Sequence, residues 1–257
     1  MTVKLVSYTQ PTEEFVNDGI ADVQDLIAFC ARVSNPSNQY NADTSDRLIR
    51  YLIKHKHFSP LEMVNACLEV ETTRDIGRQI IRHVSFRFQE FSQRYADPTK
   101  DFNFVIREAR LQDTKNRQNS VELDMNNPAH VELAKMWVEK QQEVIRISKE
   151  AYQWATSNGI AKEQARVVLP EGNTESRMYI NGSIRSWIHF IQVRTDESTQ
   201  KEHREIALAC AKAISKIFPM VDEFVYKTPE PIGCASPSAT PSESWIGSLA
   251  NLFHKSS

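Results

Sequence analysis

The chain has 257 residues, 40% of them hydrophobic and 25% charged, with a formal net charge of −2; this is the make-up of an ordinary globular protein, long enough for one sizeable domain or two small ones. Such a balance excludes the global basic field that draws nucleic acid or an anionic membrane, so any anion must be held by local groups. The seven glycines form neither G-x-G-x-x-G nor G-x-x-x-x-G-K-[ST], which excludes a Rossmann turn and a P-loop as nucleotide carriers.

In chain order, MTVKLVSYTQ lacks the long apolar core of a signal peptide. Within it VKLVSY alternates as a strand. DVQDLIAFCARVS spaces a helix ending near Ser34, and Thr44 or Ser45 can cap a second, SDRLIRYLIKH, with Leu48, Tyr51 and Leu52 on its apolar stripe. Ser59-Pro60 breaks that helix and reads as a turn. Val64, Ala66, Leu68 and Val70 then share one face of a strand, with Asn65 and Glu69 on the other. Thr72 or Thr73 caps a third helix, TTRDIGRQIIRHV. Residues 96–126 are polar and rich in asparagine, a long excursion with a short strand expected at FNFVI. Asn127-Pro128 starts a long amphipathic helix that Asn158-Gly159 closes. KEQARVVLP is a short helix, ESRMYING a strand, and SIRSWIHFIQVR and TQKEHREIALACAKAISKIF are helices. The reading is a helix-rich α+β domain over 1–227, with a mixed or antiparallel sheet made of scattered hairpins. A Pro/Ser-rich tail over 228–257 follows. No run approaches membrane-spanning length.

Cys30, Cys67, Cys210 and Cys234 form no C-x-x-C pair. They read as buried free thiols, in keeping with a reducing cytoplasm, and neither they nor the histidines have zinc spacing.

Three segments carry candidate chemistry. Arg74, Arg78 and Arg82 recur at helical spacing, a like-charge stack that disfavours an isolated helix by about 0.2–0.5 kcal/mol per pair. A solvated face explains Arg74. Arg82 shares its face with Gln79 and His83, and points instead to a bound anion, because guanidinium stays charged when desolvated and forks onto phosphate or an imide edge. Arg166 and the helix carrying Arg185, His189 and Arg194 form a second arginine cluster with no lysine between 166 and 194. There Arg185, His189 and Gln192 share one face, beside an apolar stripe of Trp187, Ile188 and Ile191. HFSPLE, at a helix-to-strand junction, is the third. The residues alone support a pocket for a phosphate-bearing, planar-ringed ligand. The neighbouring aromatics serve equally well as core.

The stretch RHVSFRFQEFSQRY, residues 82–95, resembles the signature of the flavin-dependent thymidylate synthases, R-H-R-x7-S, through Arg82, His83 and Ser92, extended by Gln89, Glu90, Arg94 and Tyr95. ARVS, HFSPLE, RQIIRH, ARVVLP, GSIRSWIHFIQVR and TQKEHREIA resemble further blocks of that family in the family's order, over residues 1–227. The resemblance implies a homotetramer with a non-Rossmann fold and active sites built from several subunits. It implies conversion of dUMP to dTMP with the methylene carbon of methylenetetrahydrofolate and with FAD reduced by NADPH. Carried over by position, Gln79, Arg82, Glu90, Ser92, Gln93, Arg94, Arg166 and Arg194 are expected to contact dUMP. Ser59, Arg82, His83, Val84, Glu90, Ser183, Arg185 and His189 are expected to contact FAD. Arg194 is the expected catalytic group, favouring negative charge on the pyrimidine ring. Ser92 is read as a hydrogen-bond donor to the nucleotide, not a nucleophile. None of the four cysteines stands in the arginine-containing context that flavin-free thymidylate synthases use. The chain departs from the pattern at Val84, where the motif has arginine, at Ser183, where many members have asparagine, and at Arg87, where serine is usual; Arg87 is expected to return the charge lost at Val84. The competing readings are a non-catalytic nucleotide- or RNA-binding module and an inactive relative kept as a scaffold.

Overall fold

The amino-terminal strand β1 (Thr2–Tyr8) precedes α1 (Glu13–Asn17), α2 (Val23–Ala31) and α3 (Ser45–Lys54). β2 (Asn65–Thr73) runs straight into α4 (Arg74–Ile80), and β3 (Arg87–Glu90) follows. The excursion holds α5 (Pro98–Asp101), β4 (Arg110–Gln112) and β5 (Ser120–Glu122), and the long α6 (Pro128–Ser157) leads to α7 (Lys162–Ala165). β6 (Glu175–Ser183) then runs straight into α8 (Ile184–Arg194), and α9 (Lys201–Ile214) follows. This computed structural model describes residues 1–225, within a compact unit formed by Met1–Lys227; the expected tail and Cys234 lie outside the described residues.

Four strands form one sheet in the order β1-β2-β6-β3, antiparallel at every junction. β2 and β6 pair along their whole length, from Asn65 opposite Ser183 to Thr73 opposite Glu175. The expectation of scattered hairpins is corrected here. Among the described residues only β4 and β5 form a hairpin; β1 and β2 pair across three intervening helices, and the central pairing joins strands more than a hundred residues apart. FNFVI is not a strand: it contributes a single bridge, Phe104 to Thr174. Gln141 of α6 anchors that segment, accepting from the Arg107 N–H and donating to the Arg107 carbonyl, each at 2.8 Å.

The alternation read in β2 holds. Ala66, Leu68 and Val70 are buried and join Met178 and Ile180 of β6 beneath α8 and α9. Trp187, Ile188 and Ile191 form the expected apolar stripe of α8, with Phe190 beside them. Each such side chain removed from water contributes about 1.5–3 kcal/mol. The Trp187 indole N–H donates to the Ala66 carbonyl at 3.1 Å, which satisfies its one buried polar atom. Gly182 allows a close approach: a Cβ built there would meet Phe86 Cε1 at 2.6 Å.

Helix ends account for the remaining differences. Asn127 caps α6 by accepting from the Ala129 N–H, and Gly159 takes φ +79° beyond its end. Ser183 caps α8 by accepting from the Ser186 N–H. Thr44 and Thr73 stand at N-cap positions, but their side chains make no cap. Thr44 accepts from Arg32 instead, and Thr73 donates to Asp75. Ile49 and Leu52 bury α3, while Tyr51 is 53% exposed, off the stripe expected for it. α4 stops at Ile80, so Arg82 and His83 lie in the turn after it. Cys210 is buried, whereas Cys30 and Cys67 are only half-buried.

Candidate functional site

The candidate residues fall into three groups, each placed by a strand-to-helix junction or by the loop after α4. In the first, the turn Ser59–Glu62 faces the exposed side of α8 across a cavity of about 440 Å³. Phe58, Glu62, Ser85, Arg185, His189 and Gln192 line it, so the polar face read in α8 is brought to one site. Arg185 donates to Glu62 at 2.9 Å, and its guanidinium lies 5.6 Å from the Phe58 ring centre. Ser59 is exposed beside this cavity. Ser183 is buried, with its hydroxyl engaged on the α8 N-terminus. Val84, next to Ser85, is 86% exposed. Arg87 donates to the main-chain carbonyls of Val84 and Phe86, at 3.3 and 3.1 Å, so its cation is held beside Val84.

The second group adjoins the first. The Arg194 Nε–H donates to His83 Nε2 at 2.8 Å, which fixes the His83 proton on Nδ1. The His83 ring lies 6.4 Å from that of His189 and 5.0 Å from Phe190. Burial, then the Arg194 and His189 charges, push the His83 pKa down to about 4, so the ring is neutral. Burial, then the charge of Arg82, lowers the pKa of Arg194. The Arg82 guanidinium is exposed, with no hydrogen bond or ion pair among the described residues. Gln79 Nε2 donates to Gln200 Oε1 at 2.8 Å, and Gln79 Oε1 lies 3.2 Å from His203 Nδ1. Gln200 in turn donates to Glu202 at 2.9 Å. His203 is fully buried, its Nε2 has no partner, and burial followed by the Arg194 and His83 charges sets its pKa at about 3. Sequence reasoning missed Gln200 and His203. Their one signal was the block TQKEHREIA, which carried resemblance but no apparent chemistry.

The third group surrounds a cavity of about 400 Å³ lined by Arg74, Arg78, Gln93, Glu163, Arg166 and Glu171, among others. Gln93 is 4% exposed, and its Nε2 has no hydrogen-bond partner. A buried donor left open costs roughly 1–3 kcal/mol, so the atom calls for an acceptor. Arg74 corrects the sequence reading: it is buried, not on a solvated face. It pairs with Glu90 at 3.3 Å and Glu171 at 3.8 Å, and Arg78 pairs with the same two carboxylates at 3.5 Å each. Glu90 also accepts from Ser176. Arg94 pairs with Glu163 at 3.2 Å, and its main-chain N–H donates to Ser92 Oγ. Arg166 donates to the Glu163 carbonyl.

One chain therefore brings His83, Arg185, His189 and Arg194 together, and separately gathers Glu90, Gln93, Arg94 and Arg166. The first set offers a neutral imidazole held against a fixed cation beside a half-open cavity. The second offers excess guanidinium and an unmatched amide donor, a lining suited to phosphate. Among the described residues no helix is long and apolar enough to cross a membrane.

Residues 16–220 match the family model described as thymidylate synthase complementing protein. The chain is 48% identical over 223 residues to a flavin-dependent thymidylate synthase of Synechocystis, covering 86% of this chain and 97% of that one. It is 43% identical over 221 residues to a probable flavin-dependent thymidylate synthase of Paramecium bursaria Chlorella virus 1, with the same coverage. A UMP/dUMP methylase from Streptomyces cacaoi, PolB, bound with 5-Br dUMP, shares the fold: TM-score 0.69 and 24% identity, over 86% of this chain and 93% of that one. With the model spanning most of the domain and two relatives matched nearly end to end, the chain belongs to the flavin-dependent thymidylate synthase family.

Proposed function

We propose that this protein is a flavin-dependent thymidylate synthase that methylates dUMP reductively to dTMP. Methylenetetrahydrofolate is the carbon donor, and FAD reduced by NADPH is the reductant. The observation that carries the reading is Arg194, a partly buried cation locked onto a neutral His83 beside the cavity of α8. When bound, the flavin supplies the hydride and relays the one-carbon unit, so no cysteine nucleophile is needed.

The residues present fit these ligands. The cavity of about 440 Å³ is of ligand-site size and holds part of a dinucleotide. Phe58 gives it an apolar wall and Arg185 a cation, and His189 and Ser85 offer hydrogen bonds. Arg87, tied to the Val84 carbonyl, is the substitute for the arginine the motif has at Val84. Arg166 and the open Gln93 Nε2 hold the dUMP phosphate, with Arg82 and Arg94 completing the cationic set. Ser92 keeps its hydroxyl proton for the nucleotide, because its oxygen accepts from the Arg94 N–H. Gln79 presents an amide oriented by Gln200 and His203. Arg194 lowers the energy of negative charge developing on the pyrimidine. It is positioned for this before substrate arrives, so its orientation costs nothing at the moment of reaction.

The expected dUMP contacts are divided between two groups within one chain, which is the arrangement required if neighbouring copies complete each site. We therefore propose a homotetramer with shared sites, working in the cytoplasm. The test begins with colour. Purified protein should carry flavin absorbance and oxidise NADPH in a dUMP-dependent way, and Arg194→Ala should abolish dTMP formation. A protein that binds no added FAD refutes the proposal. One that binds flavin and dUMP without forming dTMP is the inactive relative instead.

A further inference from the structure

A further cleft, which shares only Gln200 with the groups assigned above, lies between the β4–β5 hairpin, α6 and the start of α9. Its volume is about 670 Å³, and its lining includes Arg110, Arg117, Trp137, Gln200, Lys201 and Arg204. The four cations are not equivalent. Arg110 pairs with Glu202 at 2.5 Å and Glu108 at 3.6 Å, and Lys201 with Glu122 at 2.7 Å and Glu108 at 2.9 Å. These two belong to the scaffold.

Arg117 and Arg204 are different. Among the described residues the Arg117 guanidinium has no hydrogen bond or ion pair, and Arg204 donates only to the Glu197 and Thr199 carbonyls, at 2.9 and 3.4 Å. Among the described residues neither has a carboxylate within salt-bridge distance. Trp137, 44% exposed, lines the same cleft, and among the described residues its indole N–H has no hydrogen-bond partner. A guanidinium without an ion pair, a second held on carbonyls with only longer-range attraction to Glu122 and Asp196, and an exposed indole in one cleft match one ligand chemistry: a planar ring carrying phosphate. The ring stacks on the indole while the forked cations hold the anion.

We propose that this cleft binds the 2′-phosphoadenosine end of the dinucleotide reductant. The inference rests on the proposed function, which requires such a reductant in a chain with no glycine-rich phosphate loop. It also gives the cleft a link to the site, since Gln200 lines it and accepts from Gln79. Occupancy beside Gln200 therefore bears on the residue that orients Gln79.

The test is calorimetric titration of the flavin-loaded protein with 2′,5′-ADP, comparing wild type with Arg117→Ala/Arg204→Ala and, separately, Trp137→Leu. The wild type should bind, the double variant should bind about tenfold or more weakly, and 5′-AMP should bind weakly to both. In turnover, KM for NADPH should rise by a similar factor while KM for NADH stays put. Failure of the wild type to bind 2′,5′-ADP, or equal binding by all variants, overturns the assignment. So does a variant that loses affinity for p-aminobenzoylglutamate but not for 2′,5′-ADP, because the cleft would then serve the folate. Dithionite separates this inference from the parent reading. If chemically reduced wild type makes no dTMP, the function falls, whereas the titration still decides the cleft.

Discussion

Replacing Gly182 with alanine should destabilise the protein through one ring. The new Cβ would meet Phe86 Cε1 at 2.6 Å and Ser186 Cβ at 3.3 Å. Phe86 cannot swing aside, because it is 3% exposed and its ring packs 4.5 Å from Trp187 and 5.8 Å from Phe190. Overpacking of this kind costs about 1–3 kcal/mol. The stiffer unfolded chain returns about 0.4–1 kcal/mol, leaving a net loss of about 1–2 kcal/mol. For a chain of this size each kcal/mol moves Tm by roughly 2–4 °C, so a fall of about 2–8 °C is expected. Thermal unfolding followed by circular dichroism measures it. The control is the same substitution in a Phe86→Ala background, where the ring is gone and alanine at 182 should be neutral or stabilising. An equal fall in both backgrounds, or none in the first, refutes the steric argument.

Glu90→Ala should cost about 3 kcal/mol in denaturant unfolding, the low end for leaving a buried cation unpaired, because Glu171 still reaches Arg74. Val84→Arg should leave the FAD Kd unchanged in a fluorescence titration, because Arg87 held on the Val84 carbonyl already supplies the charge; a clear tightening would show that Arg87 is no substitute. His83 and His203 have folded pKa values of about 4 and about 3, below the ordinary 6.5. The unfolded chain therefore takes up protons first as pH falls, and stability present above pH 6.5 is lost between there and about 4 for His83 and about 3 for His203. His203→Gln should reduce the loss between pH 7 and pH 5, measured by urea unfolding; an identical loss would rule out that cause.

The sequence made local features legible, because their causes are local. β2 announced itself by alternation, α6 by Asn127 and Gly159, and the stripe of α8 by its spacing. What failed to show was distant partnership. Arg74 looked like one member of a like-charged row because its counterions, Glu90 and Glu171, arrive from β3 and from the approach to β6. Tyr51 has helical spacing with Leu48 and Leu52, yet spacing does not say where the neighbouring layer ends. The pairing of β2 with β6 cannot be read from either strand, since both alternate alike. At the site, Arg185, His189 and Arg194 were legible as a face of one helix. Gln200 and His203 were not, because a histidine and a glutamine at the start of a charged helix look like solvated surface.

The β2–β6 ladder acts as a ruler with a helix fixed to each end. α4 starts where β2 stops, α8 starts where β6 stops, and the strands are antiparallel, so the two helices leave opposite ends of one pairing. The loop after α4 then meets the last turn of α8 at the His83–Arg194 hydrogen bond. A slip of one residue along the ladder would displace one helix against the other by about 3.3 Å and turn every core side chain outward. Strand length is thus under a second constraint besides packing: a deletion in β2 or β6, however conservative in composition, would be felt first as a broken contact between two side chains that neither strand contains.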